Sequence, residues 1–205
     1  MLSLVESHVM LKDATTGYVL LTILLHWVSA LLIFFLFGLG IYMTGLDYYS
    51  EWYHKGPALH VSLGLILLLL MIVRIIWRMV NKNPTVLPNH SRTTLLLAKL
   101  VKYLLYGLVF IVIASGYLIT TAEGKPASLF DVIHFPVITQ LGADNVDRAG
   151  LIHELLAWAI VIVAALHALA ALVHHFVIRD RTLVRMLKPI KKLPVADEQA
   201  SSGNP

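Results

Sequence analysis

The chain has 205 residues, of which 58% are hydrophobic and 14% are charged, and its formal net charge is +4. Soluble domains average about 45–50% apolar and about 25% charged residues, so this composition excludes a water-soluble globular protein, and it equally excludes a disordered one. The absence of cysteine excludes disulfides, iron–sulfur clusters and thioether-attached haem. Basic residues in so apolar a chain report membrane topology more often than nucleic-acid binding. We therefore expect an integral membrane protein without a nucleic-acid partner.

Four apolar segments are long enough to cross a bilayer, which takes about 20 residues of helix. In chain order they cover residues 18–43, 57–80, 95–121 and 150–178. Pro57 suits the first turn of the second span, where its missing N–H costs no hydrogen bond. The sequence therefore predicts an all-α fold, a four-transmembrane-helix bundle that forms one domain over residues 1–192. Residues 193–205 are predicted to be a disordered tail.

The distribution of basic residues predicts the orientation of the bundle, because Lys and Arg concentrate in short cytoplasmic loops. Lys55 is the one cation in the loop of residues 47–56, and the loop of residues 122–149 holds more acidic than basic residues. The basic residues on the opposite side are Arg78, Lys82, Arg92, Arg179, Arg181, Arg185, Lys188, Lys191 and Lys192. We therefore expect both termini in the cytoplasm and the two acidic loops outside.

Histidines inside the spans carry the functional prediction, since ionisable residues in a membrane are costly and mark function by default. His60 and His153 each lie about one turn from the outer end of a span, whereas His26 and His167 lie in the cytoplasmic half. His153 and His167 are about four turns apart, so they share one helix face with a separation of about 21 Å. The depths predict two pairs, His60 with His153 and His26 with His167.

Paired histidines on facing helices are a common way to hold a haem iron from both sides. The pairs therefore predict two non-covalent haem b groups, with His26, His60, His153 and His167 as the iron ligands. A bare metal ion fits less well, because two imidazoles are an incomplete ligand set and no carboxylate joins them. The alternative is that these histidines only form hydrogen bonds between helices, in a haem-free scaffold or transporter.

Two further ionisable residues lie toward the cytoplasmic ends of the spans. Arg74 is near the depth of His26 and is predicted to bind the propionates of the inner haem, or else to extend to the lipid headgroups. His174, seven residues after His167, is predicted to hold a propionate or to hydrogen-bond the carbonyl of a quinone. The histidines outside the spans are predicted to be surface residues: His8, His54, His90 and His134.

The motifs around these residues resemble the bacterial cytochrome b561 family of di-haem membrane cytochromes, from about Tyr18 to Leu187. They are LLHW around His26, ALHVSLG around His60, VRIIWR through Arg74 and Arg78, IHELLAW at His153, LHALAALVHHF from Leu166 to Phe176, and RDRTLVRML after it. The four ligand positions of the family correspond to the four histidines that depth alone selects.

The resemblance implies a multi-pass protein of the bacterial inner membrane that transfers electrons through its two haems. Members of the family are linked to ubiquinone, and some are similar to superoxide:ubiquinone oxidoreductases. The implied function is thus a membrane oxidoreductase that passes electrons from superoxide or another small periplasmic donor to ubiquinone. The alternative is a cytochrome b subunit that receives electrons from a separate periplasmic protein. The outer loop, which includes GYLITTAEGKP over residues 116–126, is longer than in the shortest members and leaves the donor open.

Overall fold

The computed structural model describes residues 17–81, 84, 85, 87 and 90–190. Its long helices are α1 (Leu20–Thr44), α2 (Trp52–Val80), α3 (Arg92–Thr121) and α4 (Ala143–Val173), followed by a π-helical turn (His174–Ile178) and the short helix α5 (Thr182–Leu187). Four helices, the last extended to Ile178 by the π-helical turn, are long and apolar enough to cross a membrane. The predicted all-α membrane fold is therefore confirmed. The predicted tail and His8 lie outside the described residues.

Helices α2, α3 and α4 begin earlier than their apolar runs predict, and the difference is largest for α2 and α4. Helix α2 begins at Trp52, because a turn in which the Ser50 N–H donates to the Asp47 carbonyl leads directly into it. Pro57 consequently lies in the second turn rather than the first, so the prediction for this residue was wrong. Helix α4 begins at Ala143, where Asp144 favours a helix N-terminus through the helix dipole. Hydropathy finds the apolar part of each helix and misses these polar first turns.

The four long helices form two helical hairpins. Helix α1 packs mainly on α2, and α3 packs mainly on α4, while the contacts between the two hairpins are fewer. A small apolar core joins all four helices at mid-height: Leu36 of α1, Leu67 and Met71 of α2, Val109 of α3 and Ile160 of α4. Most other large apolar side chains point outward, as expected for a surface that faces lipid.

Polar contacts join α1, α2 and α5 at one end of the bundle. The Trp77 indole N–H donates to Thr22 Oγ1 at 2.8 Å and ties α2 to α1. The Trp27 indole N–H donates to the carbonyl of Met186 at 2.7 Å and ties α5 to α1. We call the end of the bundle at which α5 packs on α1 the α5 end.

A two-stranded antiparallel sheet lies at the opposite end. Strands β1 (Ala127–Leu129) and β2 (Ile133–Phe135) are joined by a turn whose residues Phe130 and Asp131 have φ angles of 49° and 57°. The Ser62 hydroxyl of α2 accepts a hydrogen bond from the Phe130 N–H at 3.0 Å and lies 3.3 Å from the Ser128 carbonyl. This contact fixes the sheet against α2, and we call this the hairpin end.

Candidate functional site

The structure brings His60 and His153 together at the hairpin end. His60 comes from α2 and His153 from α4, so the pair joins the two helical hairpins. Their ring centroids are 6.1 Å apart and the ring planes differ by 67°. Two imidazoles at this separation leave room for one metal ion between them, since a metal–nitrogen bond is about 2 Å long.

Helix α3 orients His153 through its backbone. Nδ1 of His153 lies 2.9 Å from the carbonyl of Val112 and 3.1 Å from the hydroxyl of Ser115. That hydroxyl itself donates to the same carbonyl at 2.8 Å. A carbonyl can only accept, so this hydrogen bond assigns the ring proton to Nδ1 and leaves Nε2 with a free lone pair. Such a contact is the usual outer-shell support of a metal-binding histidine.

A cavity of about 570 Å³ adjoins both imidazoles and is lined by residues of all four long helices. Its volume is in the range of cofactor pockets, about 300–1,000 Å³. Glycines keep it open beside the histidines: a Cβ on Gly116 would lie 2.9 Å from Cε1 of His153, and one on Gly40 would lie 3.6 Å from Cε1 of His60.

His60 supplies a second sign of a ligand. Its Nδ1 atom is buried and has no hydrogen-bond partner among the described residues, although buried polar atoms are nearly always paired. The cavity otherwise has mainly aliphatic and aromatic walls. A flat apolar macrocycle with a central metal fits this combination of apolar walls, facing imidazoles and glycine clearance.

His26 and His167 approach each other toward the α5 end, from α1 and α4. The two imidazoles interact electrostatically, and Arg74 interacts with both of them. His26 is half-buried, whereas His167 lies exposed on the surface of α4. Neither residue lines the cavity at the hairpin end, so the two pairs occupy separate levels of the bundle.

Arg74 is held between helices rather than extended toward the headgroups. Its guanidinium donates to Ser29 Oγ and contacts His26 Nδ1, both at 2.8 Å, and lies 5.3 Å from the ring centroid of Tyr106. Because a guanidinium can only donate, Nδ1 of His26 accepts here, which assigns the ring proton to Nε2. A ligand role for Nε2 therefore requires Arg74 to exchange this contact for another acceptor.

His174 is the first residue of the π-helical turn, and its partner was not predicted. Nδ1 of His174 lies 2.5 Å from Asp180 Oδ2, and the same oxygen lies 2.9 Å from Nε2 of His90. The side chain of His90 is only 13% exposed, so its prediction as a surface residue was wrong. The loop before α3 folds back onto the end of α4, and no periodic signal in that loop reveals this. His54 and His134 are exposed, as predicted.

Asp180 is the acceptor that organises this cluster. Burial alone would raise the pKa of its carboxyl, but hydrogen bonds from the two imidazoles and from Thr182 outweigh burial and hold the pKa well below the usual aspartate range. The group is therefore a carboxylate at neutral pH, and it fixes both rings.

An apolar cavity between membrane helices, flanked by facing imidazoles, defines the class of membrane b-type cytochromes. Comparison with known proteins agrees, since the family model for prokaryotic cytochrome b561 matches residues 17–189. Cytochrome b561 homolog 2 of Escherichia coli K12 is 42% identical over 162 residues, which cover 79% of this chain and 86% of that protein.

Two further relatives align over most of their length. The probable superoxide oxidase CybB of Yersinia pestis is 32% identical over 83% of this chain and 95% of its own. Cytochrome b562 of Cereibacter sphaeroides is 33% identical over 84% of this chain and 96% of its own. The chain belongs to the prokaryotic cytochrome b561 family. It is a bacterial membrane protein of a family that binds haem b and transfers electrons across the membrane, as the sequence motifs predicted.

Proposed function

We propose that this cytochrome holds two haem b groups, one between His60 and His153 and the other between His26 and His167. The observation that carries the proposal is the hairpin-end cavity, with its facing imidazoles and with a His60 Nδ1 atom that has no partner in the described part of the chain. When bound, haem b would supply a one-electron redox centre at each of the two histidine pairs.

At the hairpin end, the chain contributes orientation and exclusion of water. The Val112 carbonyl holds the His153 ring and raises the basicity of its Nε2 atom. Ser62 fixes the two-stranded sheet close to the helix position of His60. Ala127 of that sheet is 1% exposed and lines the cavity. The apolar walls lower the local dielectric around whatever charge the site receives.

At the α5 end, Arg74 supplies positive charge beside His26 and His167. A propionate in this low-dielectric region needs such a partner. The Arg74 guanidinium already reaches from α2 toward both α1 and α3. By exchanging the His26 contact for a carboxylate, Arg74 would release Nδ1 of His26, whose ring could then present Nε2 as a ligand.

We further propose that the protein is a membrane oxidoreductase that oxidises superoxide, or another small periplasmic donor, and reduces ubiquinone. Two superoxide anions, one quinone and two protons would yield two dioxygen molecules and one quinol. The relative named as a probable superoxide oxidase supports this donor. The proposed hydrogen-bond donor to a quinone carbonyl is Nε2–H of a doubly protonated His174, whose Nδ1–H donates to Asp180 and so fixes the ring at the α5 end.

A second candidate is a cytochrome b subunit that receives electrons from a periplasmic protein. One observation favours it: the loop before α2 carries exposed aromatic residues at the hairpin end, with Tyr48 71% and Tyr49 94% exposed. Exposed tyrosines are enriched in protein-binding surfaces.

We propose that the protein lies in the inner membrane with the α5 end in the cytoplasm, because the basic residues cluster at that end. Reporter fusions test this placement. A cytoplasm-active reporter after residue 205 should be active, and a periplasm-active reporter inserted at Tyr49 should be active. The reverse pattern would contradict the orientation.

Haem stoichiometry and a quinone-reduction assay test the function. The purified protein should contain two haem b per chain by pyridine haemochrome analysis, and one haem per chain would contradict the two-level site. Superoxide generated in the presence of a soluble ubiquinone should then reduce the quinone well above the protein-free rate. A rate equal to that background, with both haems present, would favour the subunit that depends on a protein donor.

A further inference from the structure

Two distant stretches of the chain meet at the α5 end, outside the paired histidines, and together they contribute three side chains. His90 lies in the loop between α2 and α3, His174 opens the π-helical turn, and Asp180 follows that turn. One ligand atom from each residue lies within 4.8 Å of the other two. The three side chains are 13%, 16% and 10% exposed, so the cluster is largely shielded yet open to small solutes.

The backbone builds this arrangement in detail. Arg179 adopts a left-handed conformation with φ of 58°, which is uncommon for a residue other than glycine. The chain thereby turns back, and the Asp180 N–H donates to the His174 carbonyl at 3.0 Å. Oδ1 of Asp180 accepts from the Thr182 N–H at 2.8 Å, which leaves Oδ2 directed at both imidazoles. Single π-helical turns of this kind occur frequently at functional sites.

The ligand set is complete enough for a metal ion. Two imidazoles and one carboxylate are the three protein ligands of many zinc sites that keep a fourth position open. The same set is common for other divalent first-row transition metals. The closest histidine–carboxylate distances, 2.5 Å and 2.9 Å, are those of hydrogen bonds. An ion with bonds of about 2 Å would separate the ligand atoms to about 3.3 Å, a movement of less than about 1 Å.

We propose that His90 Nε2, His174 Nδ1 and Asp180 Oδ2 form a binding site for a divalent transition-metal ion of the zinc type. On binding, the ion replaces the ring proton at each ligand nitrogen: a neutral ring keeps that proton on its other nitrogen, and a doubly protonated ring releases one proton to water. The fourth position takes a water molecule or another small ligand. The site does not depend on the haem assignments, because it uses none of the paired histidines, and its use of His174 Nδ1 leaves Nε2 of that ring for the proposed quinone contact.

A zinc-binding measurement on the haem-loaded, full-length protein tests the site. The protein should carry a purification tag without histidine, and ZnCl₂ should be titrated calorimetrically, with metal content after desalting measured by mass spectrometry. We expect one zinc per chain. His90→Gln and Asp180→Asn keep a similar size and polarity but remove a ligand. Loss of a residue that only supports a metal ligand already lowers metal affinity about 10- to 100-fold. Loss of a ligand itself should therefore weaken zinc binding at least tenfold.

The matched control is His134→Ala, which removes an exposed histidine at the opposite end of the molecule and should leave zinc binding unchanged. Haem absorbance and gel filtration report whether each variant is folded. Zinc X-ray absorption of the unaltered protein needs no variant and should show two imidazole ligands at about 2.0–2.1 Å. The absence of stoichiometric zinc binding, zinc binding that survives both ligand variants, or a zinc spectrum without imidazole would each overturn the proposal.

Discussion

Gly116 of α3 and His153 of α4 are packed so closely that a Cβ on residue 116 would lie 2.9 Å from the imidazole Cε1. Real Cβ atoms are not found at that distance from a ring carbon, so one of the two groups would have to move. The ring has little freedom, because Val112 and Ser115 hold its Nδ1 atom. The absence of a side chain at residue 116 therefore sets the position of His153.

Gly116→Ala should accordingly displace His153 and weaken haem binding at the hairpin end. Overpacking of this kind costs about 1–3 kcal/mol, so we expect the affinity for that haem to fall about tenfold or more. Haem content after dilution and gel filtration measures it. The matched control is Gly107→Ala on the same helix, where an added Cβ meets nothing within 4 Å. Equal haem retention by both variants would contradict the packing argument.

Replacement of single histidines should remove one haem and leave the other. His60→Ala or His153→Ala should leave about one haem per chain, held at the α5 end, because the two pairs lie at separate levels. His26→Ala or His167→Ala should spare the hairpin end instead. Pyridine haemochrome analysis gives the count and low-temperature spectra distinguish the remaining haem. His54→Ala, which alters an exposed residue, is the control; complete haem loss from every single variant of a folded protein would contradict two independent levels.

Arg74→Gln should alter the haem at the α5 end more than the one at the hairpin end. Loss of a positive charge favours the oxidised form, so the midpoint potential of that haem should fall by tens of millivolts, since about 1.4 kcal/mol corresponds to about 59 mV for one electron. Arg74→Lys keeps the charge and should restore most of the potential. A redox titration that follows the absorbance of each haem separately measures the effect. An equal shift in Arg78→Gln, one turn further along α2, would show that the effect is general rather than specific to Arg74.

Ser62→Ala should loosen the two-stranded sheet at the hairpin end. The Ser62 hydroxyl bonds the Phe130 N–H and lies near the Ser128 carbonyl, and one such hydrogen bond contributes about 0.5–1.5 kcal/mol. Amide exchange of residues 127–135 should therefore accelerate several-fold while that of α3 stays unchanged. Ser128→Ala removes only an exposed contact to Asp131 and serves as the comparison. Exchange that is no faster in Ser62→Ala than in Ser128→Ala would place the anchor elsewhere.

The four spans could be predicted from the sequence because an apolar run of sufficient length has few other folds available. The pairs were predicted for a related reason, since a histidine at a given depth can only meet partners at that depth. Gly116 and Ser115 were not recognised, because their value lies in the contact with His153 on another helix. The partnership of His90 with Asp180 spans 90 residues and depends on how an irregular loop folds back, which hydropathy does not encode.

The small sheet was missed for a different reason. Strands of three residues are too short to show an alternating pattern, and the turn between them uses Phe130 and Asp131 in left-handed conformations without the glycine that usually signals such a turn. The early start of α4 was missed because Asp144 and Asp147 make its first turns polar. A search for apolar runs therefore begins the helix only after these turns.

The division into two helical hairpins also bears on how the protein is made. His26 and His60 belong to the first hairpin, whereas His153 and His167 both belong to the last long helix. During synthesis, two histidines are thus in place early, but neither pair has both members until α4 has been translated and inserted. A ribosome-bound chain that ends before residue 150 has no complete pair, so cofactor loading under the proposed ligand set becomes a late step of biogenesis. A chain truncated before α4 would keep three membrane helices but no complete histidine pair, so the cell could degrade it before any haem is bound.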